Sequence, residues 1–500
     1  MTKNLFFTFF FLISFGCKTN QAIAQARKKT FARELTELKA FFHIPAISVI
    51  IKKGDKTIFE DYLGFVNLKT KVVNDSLTTF PMASLTKIFS TVLIMKLVEE
   101  KKLDLDEPIN KYVTNRNIAD SIKIKHILSH TSQGDIGQQF YYSGRFGWLT
   151  TVIEKASRNS FEKEINEKII QPLGLKNTFL LKDTLQVKKE NRKIAMPYTY
   201  EGEITDGFID FGYSAAAGIS STVRDLAKFS KALDDNSLMT ENSKKKMFAP
   251  FKNNLPYGQG IFSQKFQNND LIWGYGQYDC YSSLFLKVPG KNLTLIISAN
   301  NNLISDPSRL IYGDITYSLF ALSFLKNYVL DLNNEPLFET STSLKIIESR
   351  INSKNSSFYR RKLLAQSISE SFMARYDISQ GEMSTAILDK VFKLYPEYES
   401  YSDLTLLHNL SFLKAISSVK KQENFTKFDS ELEKIAINLL TADSKNPYAN
   451  YYLATYFSSK GANDIALKYY EKIINANNFS KNWYTSEAEN WIKENQKKSK

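Results

Sequence analysis

FPMASLTKIFS, residues 80–90, is the stretch around which the rest of the chain is interpreted. It places Ser84 three residues before Lys87, and the apolar spacing in the following residues predicts a helix that begins here. Positions i and i+3 share one face of a helix, so the Ser84 hydroxyl and the Lys87 amine can approach each other. A serine hydroxyl needs a base before it becomes a good nucleophile, and burial lowers the pKa of a lysine enough for it to act as one. The stretch therefore predicts Ser84 as a nucleophile and Lys87 as its base.

The Ser-x-x-Lys pattern is weakly specific by itself, because it also occurs from Ser243, Ser323 and Ser411 without another sign of a site. Its context makes Ser84 the candidate. Six further segments accompany it: IPAISVII (44–51), LIMKLVEEKKLDLDEPINKYV (93–113), IKIKHILSHTSQG (122–134), IQPLGLKNT (170–178), AAAGISSTVRDLAKFSKAL (215–233) and YGQGIF (257–262). Together these segments resemble, in order, the β-lactamase-related serine hydrolases, which include class C β-lactamases, D-alanyl-D-alanine carboxypeptidases and similar esterases.

The fold expected for residues 25–330 is α+β, with a β-lactamase/transpeptidase-like antiparallel sheet and a helical subdomain. Residues 46–68 have β-branched runs broken near Gly54 and Gly64, and predict two or three antiparallel strands. Residues 271–288 and 292–300 predict two more strands, joined through Pro289-Gly290. Strands at both ends with helices between them favour a sheet that brings the N- and C-terminal segments together.

The resemblance implies a second catalytic element, Tyr-x-Asn, at Tyr142-Ser143-Gly144. The Tyr142 phenol is then an acid/base partner of Ser84 and Lys87, and neighbouring Tyr141 is the weaker candidate. An aromatic packing role is the alternative for Tyr142. Gly144 stands at a substrate-binding position where the family has Asn, so one substrate-holding amide is missing.

The third element, Lys-Thr-Gly or His-x-Gly in the family, aligns with Gly274-Tyr275-Gly276. By resemblance, Gly276 allows close backbone approach to a substrate, and the backbone N–H of Gln277 joins that of Ser84 as an oxyanion hole. Tyr275 can donate a hydrogen bond to a substrate carboxylate but cannot neutralise it. The family's cation or imidazole is absent, because Gly274 has no side chain.

Other catalytic constellations are not supported. His130 and Ser132 invite a Ser-His interpretation, but the resemblance makes this turn structural. GISST (218–222) lacks the second glycine of a nucleophile elbow. The four histidines, at positions 43, 126, 130 and 408, have no Cys/His/acid cluster at metal-ligand spacing. We therefore expect neither a metal nor another cofactor.

The first residues predict export. Lys3 precedes an apolar run at 5–16, which is shorter than the roughly 20 residues of a spanning helix. We expect a signal peptide at 1–24 with cleavage after Ala24, and hence a periplasmic or envelope-associated protein without a transmembrane span. Lipid attachment at Cys17 is the alternative. Cys280 then has no intramolecular partner.

From about residue 341 the pattern becomes helical, so we expect a linker at 331–345 and an all-α, tetratricopeptide-like repeat domain at 346–500. Residues 373–396 and 453–476 align without a gap: Ala374 with Ala454, Tyr376 with Tyr456, Gly381 with Gly461, Ala386 with Ala466. Residues from about 399 to 444, between these copies, predict a third, irregular helical pair. A plain helical bundle is the alternative.

The leading hypothesis is a serine hydrolase that forms an acyl-enzyme on an ester or amide, with peptidoglycan peptides and β-lactam-like compounds as candidates. The missing cation argues against a substrate held by its carboxylate. The alternative is a catalytically impaired domain that binds rather than cleaves, with the repeats offering a surface to a protein partner. The net charge of +14 is spread along the chain, which argues against nucleic acid.

Overall fold

A mixed α/β core is built around one antiparallel sheet. The computed structural model describes residues 4–396, 403–420 and 427–498. Its strands are β1 Ala46–Lys53, β2 Lys56–Asn67, β3 Val72–Val73, β4 Phe80–Pro81, β5 Phe179–Leu180, β6 Tyr198–Tyr200, β7 Ile204–Asp206, β8 Ile219–Ser221, β9 Phe262–Phe266, β10 Asn269–Tyr278, β11 Tyr281–Val288 and β12 Leu293–Ala299. Seven of them form the main sheet in the order β3-β2-β1-β12-β11-β10-β9.

The pairing of β1 with β12 joins the two ends of the hydrolase-like region. The strands are antiparallel, with Ile47 opposite Ala299, which confirms the predicted closure of the sheet. Successive side chains alternate between faces, so Val49 and Ile51 belong to one apolar core, and Ile50 belongs to another. Both faces are covered, which explains why β1 is an almost unbroken apolar run.

One strand prediction was wrong. Residues 271–288 form a hairpin of β10 and β11, because Asp279 and Cys280 make a two-residue turn between Tyr278 and Tyr281. The two turn residues include no glycine or proline, so the sequence does not mark the turn.

The helices cover both faces of the sheet and continue beyond it. They are α1 Asn4–Phe41, α2 Thr86–Glu99, α3 Ile124–Leu128, α4 Leu149–Ser157, α5 Phe161–Ile165, α6 Thr184–Lys189, α7 Val223–Asp234, α8 Glu241–Phe248, α9 Leu319–Phe324, α10 Ser341–Lys345, α11 Ser356–Met373, α12 Ile378–Leu394, α13 Leu404–Lys420, α14 Asp429–Ala442, α15 Pro447–Ser459, α16 Asn463–Ile474 and α17 Trp483–Lys498. Helix α7 packs on β1 and β12, whereas α1 packs on α9.

The helical region shares a core with the sheet. One apolar cluster runs from Ile47 and Leu295 through Leu319 to Leu363 and Leu453. The predicted linker, 331–345, contributes Leu332, Leu337 and Leu344 to the same cluster, and its Glu339 forms an ion pair with Lys362 in which neither side chain is exposed. The two predicted domains therefore pack together as one body.

The proposed repeat is only partly reflected in the helices. Helices α11 and α12 pack as one pair, and α15 and α16 as another. Gly461 lies in the turn of the second pair with φ +75°. Gly381, its predicted equivalent, lies inside α12, so that part of the alignment was wrong: the first turn occurs earlier, at residues 374–377. Helices α13 and α14 lie in the predicted third pair, of which residues 397–402 and 421–426 are outside the described residues.

Helix α1 contains most of the predicted signal segment and continues past it. From residue 22 onward, the first buried residue of α1 is Phe31, and Leu35 and Leu38 are also buried, whereas residues 22–26 are exposed. Within the described ranges, no helix has both the length and the apolar content needed to span a bilayer.

Candidate active site

Ser84 lies where an extended segment turns into α2. Strand β4 pairs with β8, and the Met82 N–H then donates to the Ile219 carbonyl at 2.7 Å. A 3₁₀ turn, Ala83–Leu85, leads directly into the helix. Ala83 has φ +43°, a region that non-glycine residues occupy at a cost and mostly where function requires it. This geometry presents Ser84 in the first turn, where backbone N–H groups lack intrahelical acceptors.

Lys87 lies directly behind Ser84. Its Nζ donates to the Ser84 Oγ at 2.8 Å and to the Ala216 carbonyl at 3.1 Å. Only 4% of the side chain is exposed, and burial lowers the pKa of Lys87 from 10.5 to about 7. About half of an amine with that pKa is unprotonated at neutral pH and can accept a proton.

Tyr142 completes a group of three side chains with Ser84 and Lys87. Burial raises the pKa of its phenol, and a hydrogen bond with Ser84 partly opposes that effect. The Lys87 Nζ lies 4.9 Å from the centre of the Tyr142 ring. The phenol therefore stays protonated and can pass a proton between its neighbours.

His130 holds Tyr142 in place. The two rings stack with centroids 4.2 Å apart, and His130 Nδ1 accepts from the backbone N–H of Ser143 at 3.0 Å. Burial, followed by the charge of Lys87, lowers the pKa of His130 well below 6.5. The imidazole is thus neutral and packed behind Tyr142, as the sequence interpretation expected of a structural turn.

Two glycines on β10 pack against the nucleophile helix. A Cβ added to Gly274 would meet Ile88 at 3.0 Å and Leu85 at 3.1 Å, so apolar side chains of the 3₁₀ turn and α2 fill the place where a cation would begin. A Cβ on Gly276 would lie 1.9 Å from the Met82 carbonyl oxygen. Gly276 therefore permits close approach of the chain's own backbone, and its predicted approach to a substrate stays a prediction.

The backbone N–H groups of Gln277 and Tyr275 lie on the edge of β10 that does not pair with β11. Ladder hydrogen bonds alternate along antiparallel strands, and the hairpin closes at Tyr278 and Tyr281. The N–H of Gln277 is therefore directed away from β11. Strand β9 pairs with β10 only as far as Trp273, which leaves this edge of β10 open beside Ser84.

Gly144 does not belong to the pocket that contains Ser84. It is exposed, and an added Cβ would meet nothing within 4 Å. The structure thus does not place it in contact with a substrate at Ser84. The next residue, Arg145, instead donates to the Ser132 carbonyl at 2.7 Å and to Asn478 Oδ1 at 3.1 Å.

A cavity of about 1010 Å³ opens at Ser84. Tyr142, Tyr275 and Gln277 also line it, so the structure brings together four of the predicted site residues. More than half of the lining residues come from α13, α15 and α17. Sequence reasoning missed these residues, because no local motif marks them and they lie over 300 positions from Ser84. Among the described residues, no group of His, Cys, Asp and Glu could hold a metal ion.

Comparison with known proteins identifies the class to which this fold and site belong. A family model described as Beta-lactamase matches residues 31–310. That match covers more than half of the chain, which therefore belongs to the β-lactamase family of serine hydrolases. The predicted resemblance is confirmed.

Individual relatives are distant. Protein flp of Staphylococcus aureus (strain MW2) is 24% identical over 308 residues, which are 52% of this chain and 60% of flp. The putative penicillin-binding protein PbpX of Bacillus subtilis (strain 168) is 24% identical over 298 residues, which are 53% of this chain and 73% of PbpX. The match thus spans about 60% of the length of flp.

A similar solved structure is the octameric penicillin-binding protein homologue from Pyrococcus abyssi, with a TM-score of 0.53 and 21% identity. The match covers 67% of this chain and 81% of the Pyrococcus abyssi protein. At this identity, the likeness supports the fold and leaves the substrate undefined.

Proposed function

We propose that this protein is a metal-free serine hydrolase that cleaves an ester or amide through an acyl-enzyme on Ser84. The observation that carries the proposal is the 2.8 Å contact between Lys87 Nζ and Ser84 Oγ, made by an amine whose pKa is about 7. A nucleophile and its base within hydrogen-bond reach are the signature of activated-serine catalysis.

The reaction follows from the positions of three groups. Neutral Lys87 takes the proton as Ser84 Oγ attacks the carbonyl carbon, and the developing oxyanion is met by the N–H groups of Ser84 and Gln277. Tyr142 passes a proton to the leaving group as the tetrahedral intermediate collapses. A water molecule, activated by the same groups, then hydrolyses the ester on Ser84.

The second candidate is a catalytically impaired domain that binds its ligand, and in which the helical region contacts a protein partner. The observation in its favour is the position at Gly274, which has no side chain and where the methyl groups of Leu85 and Ile88 lie about 3 Å from the place of a Cβ. A peptidoglycan peptide or β-lactam held by its carboxylate is disfavoured for the same reason. We therefore place an ester or uncharged amide first.

A fluorophosphonate probe separates the two candidates. We expect the purified wild type to be labelled, and Ser84→Ala to remain unlabelled. Ser132→Ala is the matched control, because its hydroxyl is buried near His130 and makes no hydrogen bond within the described residues, and it should be labelled like the wild type. Folded wild type that resists labelling favours the binding module.

We also propose export, with cleavage after Ala24. Support comes from α1, in which residues 22–26 are exposed and Phe31 is buried, so the proposed cleavage point lies in an exposed stretch ahead of this buried residue. Mass spectrometry of the mature protein tests this: an N-terminus at Gln25 supports it, whereas a lipid-modified Cys17 supports the alternative.

A further inference from the structure

We propose that the helical region forms one wall of the active site, and that this wall selects esters or amides with an uncharged aromatic acyl group. The inference rests on the proposed function of Ser84 and names the substrate class of that same site. In this proposal the helical residues bind the substrate of the chain's own active site. The alternative proposed above is that they bind a protein partner.

The wall is made by helices far away in sequence. Phe412 and Ala415 of α13, and Tyr448 and Tyr451 of α15, line the same cavity as Ser84. A cavity of about 1010 Å³ is at the upper end of small-molecule sites, which occupy roughly 300–1,000 Å³. It therefore has room for an ester or amide with a bulky acyl group.

A chain of hydrogen bonds fixes the wall to the hydrolase region. Arg309, which follows the last strand of the sheet, donates from Nη1 to Asp306 at 2.8 Å and from Nε to His408 Nε2 at 2.9 Å. His408 contacts the Tyr452 hydroxyl, which lies 3.0 Å from the hydroxyl of Tyr312. The network begins and ends on the hydrolase side, so the helical wall is held at a defined distance from Ser84.

A second set of contacts docks the loop between α16 and α17. Asn478 Nδ2 donates to the carbonyls of Ser132 and Gly134, each at 3.1 Å. The backbone N–H of Ser480 donates to Gln133 Oε1 at 2.7 Å. Since Ser132 lies in the loop that follows His130, the helical region also braces the segment behind Tyr142.

The chemistry of the wall favours a neutral aromatic ligand. Eight tyrosines, two phenylalanines and a tryptophan line the cavity. The cations among the lining residues, Arg309 and Lys414, are each paired with an acid, Asp306 and Asp429 respectively. The hydroxyls of Tyr312 and Tyr452 bond to each other. What remains for a substrate is mainly ring faces, which pack well with another aromatic ring, and the carboxylates of Asp210 and Asp279, which disfavour an anionic acyl group.

The test compares the hydrolysis of three p-nitrophenyl esters by the full chain. Because the leaving group is the same in all three, differences in rate report on the acyl group. The acyl groups are acetyl, phenylacetyl and hemisuccinyl, which are small, aromatic and anionic. We expect kcat/KM for phenylacetate to exceed that for acetate by about tenfold, and hemisuccinate to be the poorest of the three.

Ala415→Trp fills the cavity from the wall. Ala415 is exposed and lines the cavity, so the larger ring enters the substrate space without displacing the core. The phenylacetate preference should fall below about threefold. Ala442→Trp, at an exposed alanine outside the cavity, is the matched control and should keep the wild-type preference. Ser418→Trp, at another exposed lining position, repeats the test if Ala415→Trp does not fold.

The outcomes separate the two proposals. Equal rates for the three esters in the wild type, or an unaltered preference in both lining variants, overturn the helical wall while Ser84 labelling still stands. Absence of both turnover and Ser84 labelling overturns the proposed function, and this inference with it.

Discussion

The Lys87 amine and the Ser84 hydroxyl are 2.8 Å apart, and the lysine is shielded from solvent along almost its whole length. In water, a lysine beside a serine would be protonated and inert as a base. Here the fold removes water from the amine, and its pKa falls to about 7. This relationship links the burial of α2 to the chemistry of the site.

The first prediction concerns pH. Since the neutral form of Lys87 is the base, kcat/KM should rise with pH through about 7 and fall about tenfold for each unit below it. Lys87→Arg should lose activity by at least about a hundredfold, because a guanidinium stays protonated. Initial rates with p-nitrophenyl acetate, corrected for its spontaneous hydrolysis, provide the measurement. A profile that is flat from about pH 5 to 9 would rule out Lys87 as the titrating base.

Restoring the family's amide at residue 144 should change little. Gly144→Asn has open space for its side chain, and its position lies outside the cavity at Ser84. We expect kcat/KM to change by less than about twofold, and stability by less than about 0.5 kcal/mol. An increase of tenfold or more would show that the loop brings residue 144 to the substrate.

Gly276→Ala should damage the fold more than an ordinary glycine substitution. Its methyl group would lie 1.9 Å from the Met82 carbonyl oxygen, so β10 must move away from the segment that carries Ser84. We expect a loss of about 3 kcal/mol in the free energy of unfolding. Gly290→Ala, where an added Cβ meets nothing within 4 Å, is the control for urea denaturation. Equal midpoints for the two variants would contradict the predicted collision.

The buried ion pair between Glu34 and Lys326 provides a stability prediction. Its atoms are 2.6 Å apart, and both side chains are at most 1% exposed. Glu34→Leu leaves a buried lysine without its acid and should cost about 3–5 kcal/mol. The double variant Glu34→Leu/Lys326→Met should recover most of that loss, since neither charge remains buried. A double variant as unstable as the single one would mean that packing, rather than the uncompensated charge, causes the loss.

Removal of the helical region should prevent folding of the remainder. A chain ended at residue 333 exposes apolar residues such as Leu319 and Leu322, which share a core with Leu363 and Leu453. We expect insoluble protein or a loss of cooperative unfolding, read by near-ultraviolet circular dichroism. A soluble, cooperatively folding fragment would show that the hydrolase region has an independent core.

Local sequence was enough to predict the sheet ends and the Ser84–Lys87 pair. Both depend on short-range rules: runs of β-branched residues for β1 and β12, and the i, i+3 spacing of a helix. Two errors have the same origin. Neither the Asp279–Cys280 turn nor the turn before α12, at residues 374–377, contains a glycine or proline, so the sequence identifies the elements but does not locate their boundaries.

The sequence by itself determined the family, the nucleophile candidate and the absence of a side chain at Gly274. Only the tertiary structure decided what surrounds them: that Leu85 and Ile88 fill the empty position, that His130 supports Tyr142, and that helices α13 and α15 line the cavity at Ser84. Motifs record spacing along the chain. The wall depends on packing and hydrogen bonds between residues such as Arg309 and His408, which lie far apart in sequence and carry no local signal of their contact.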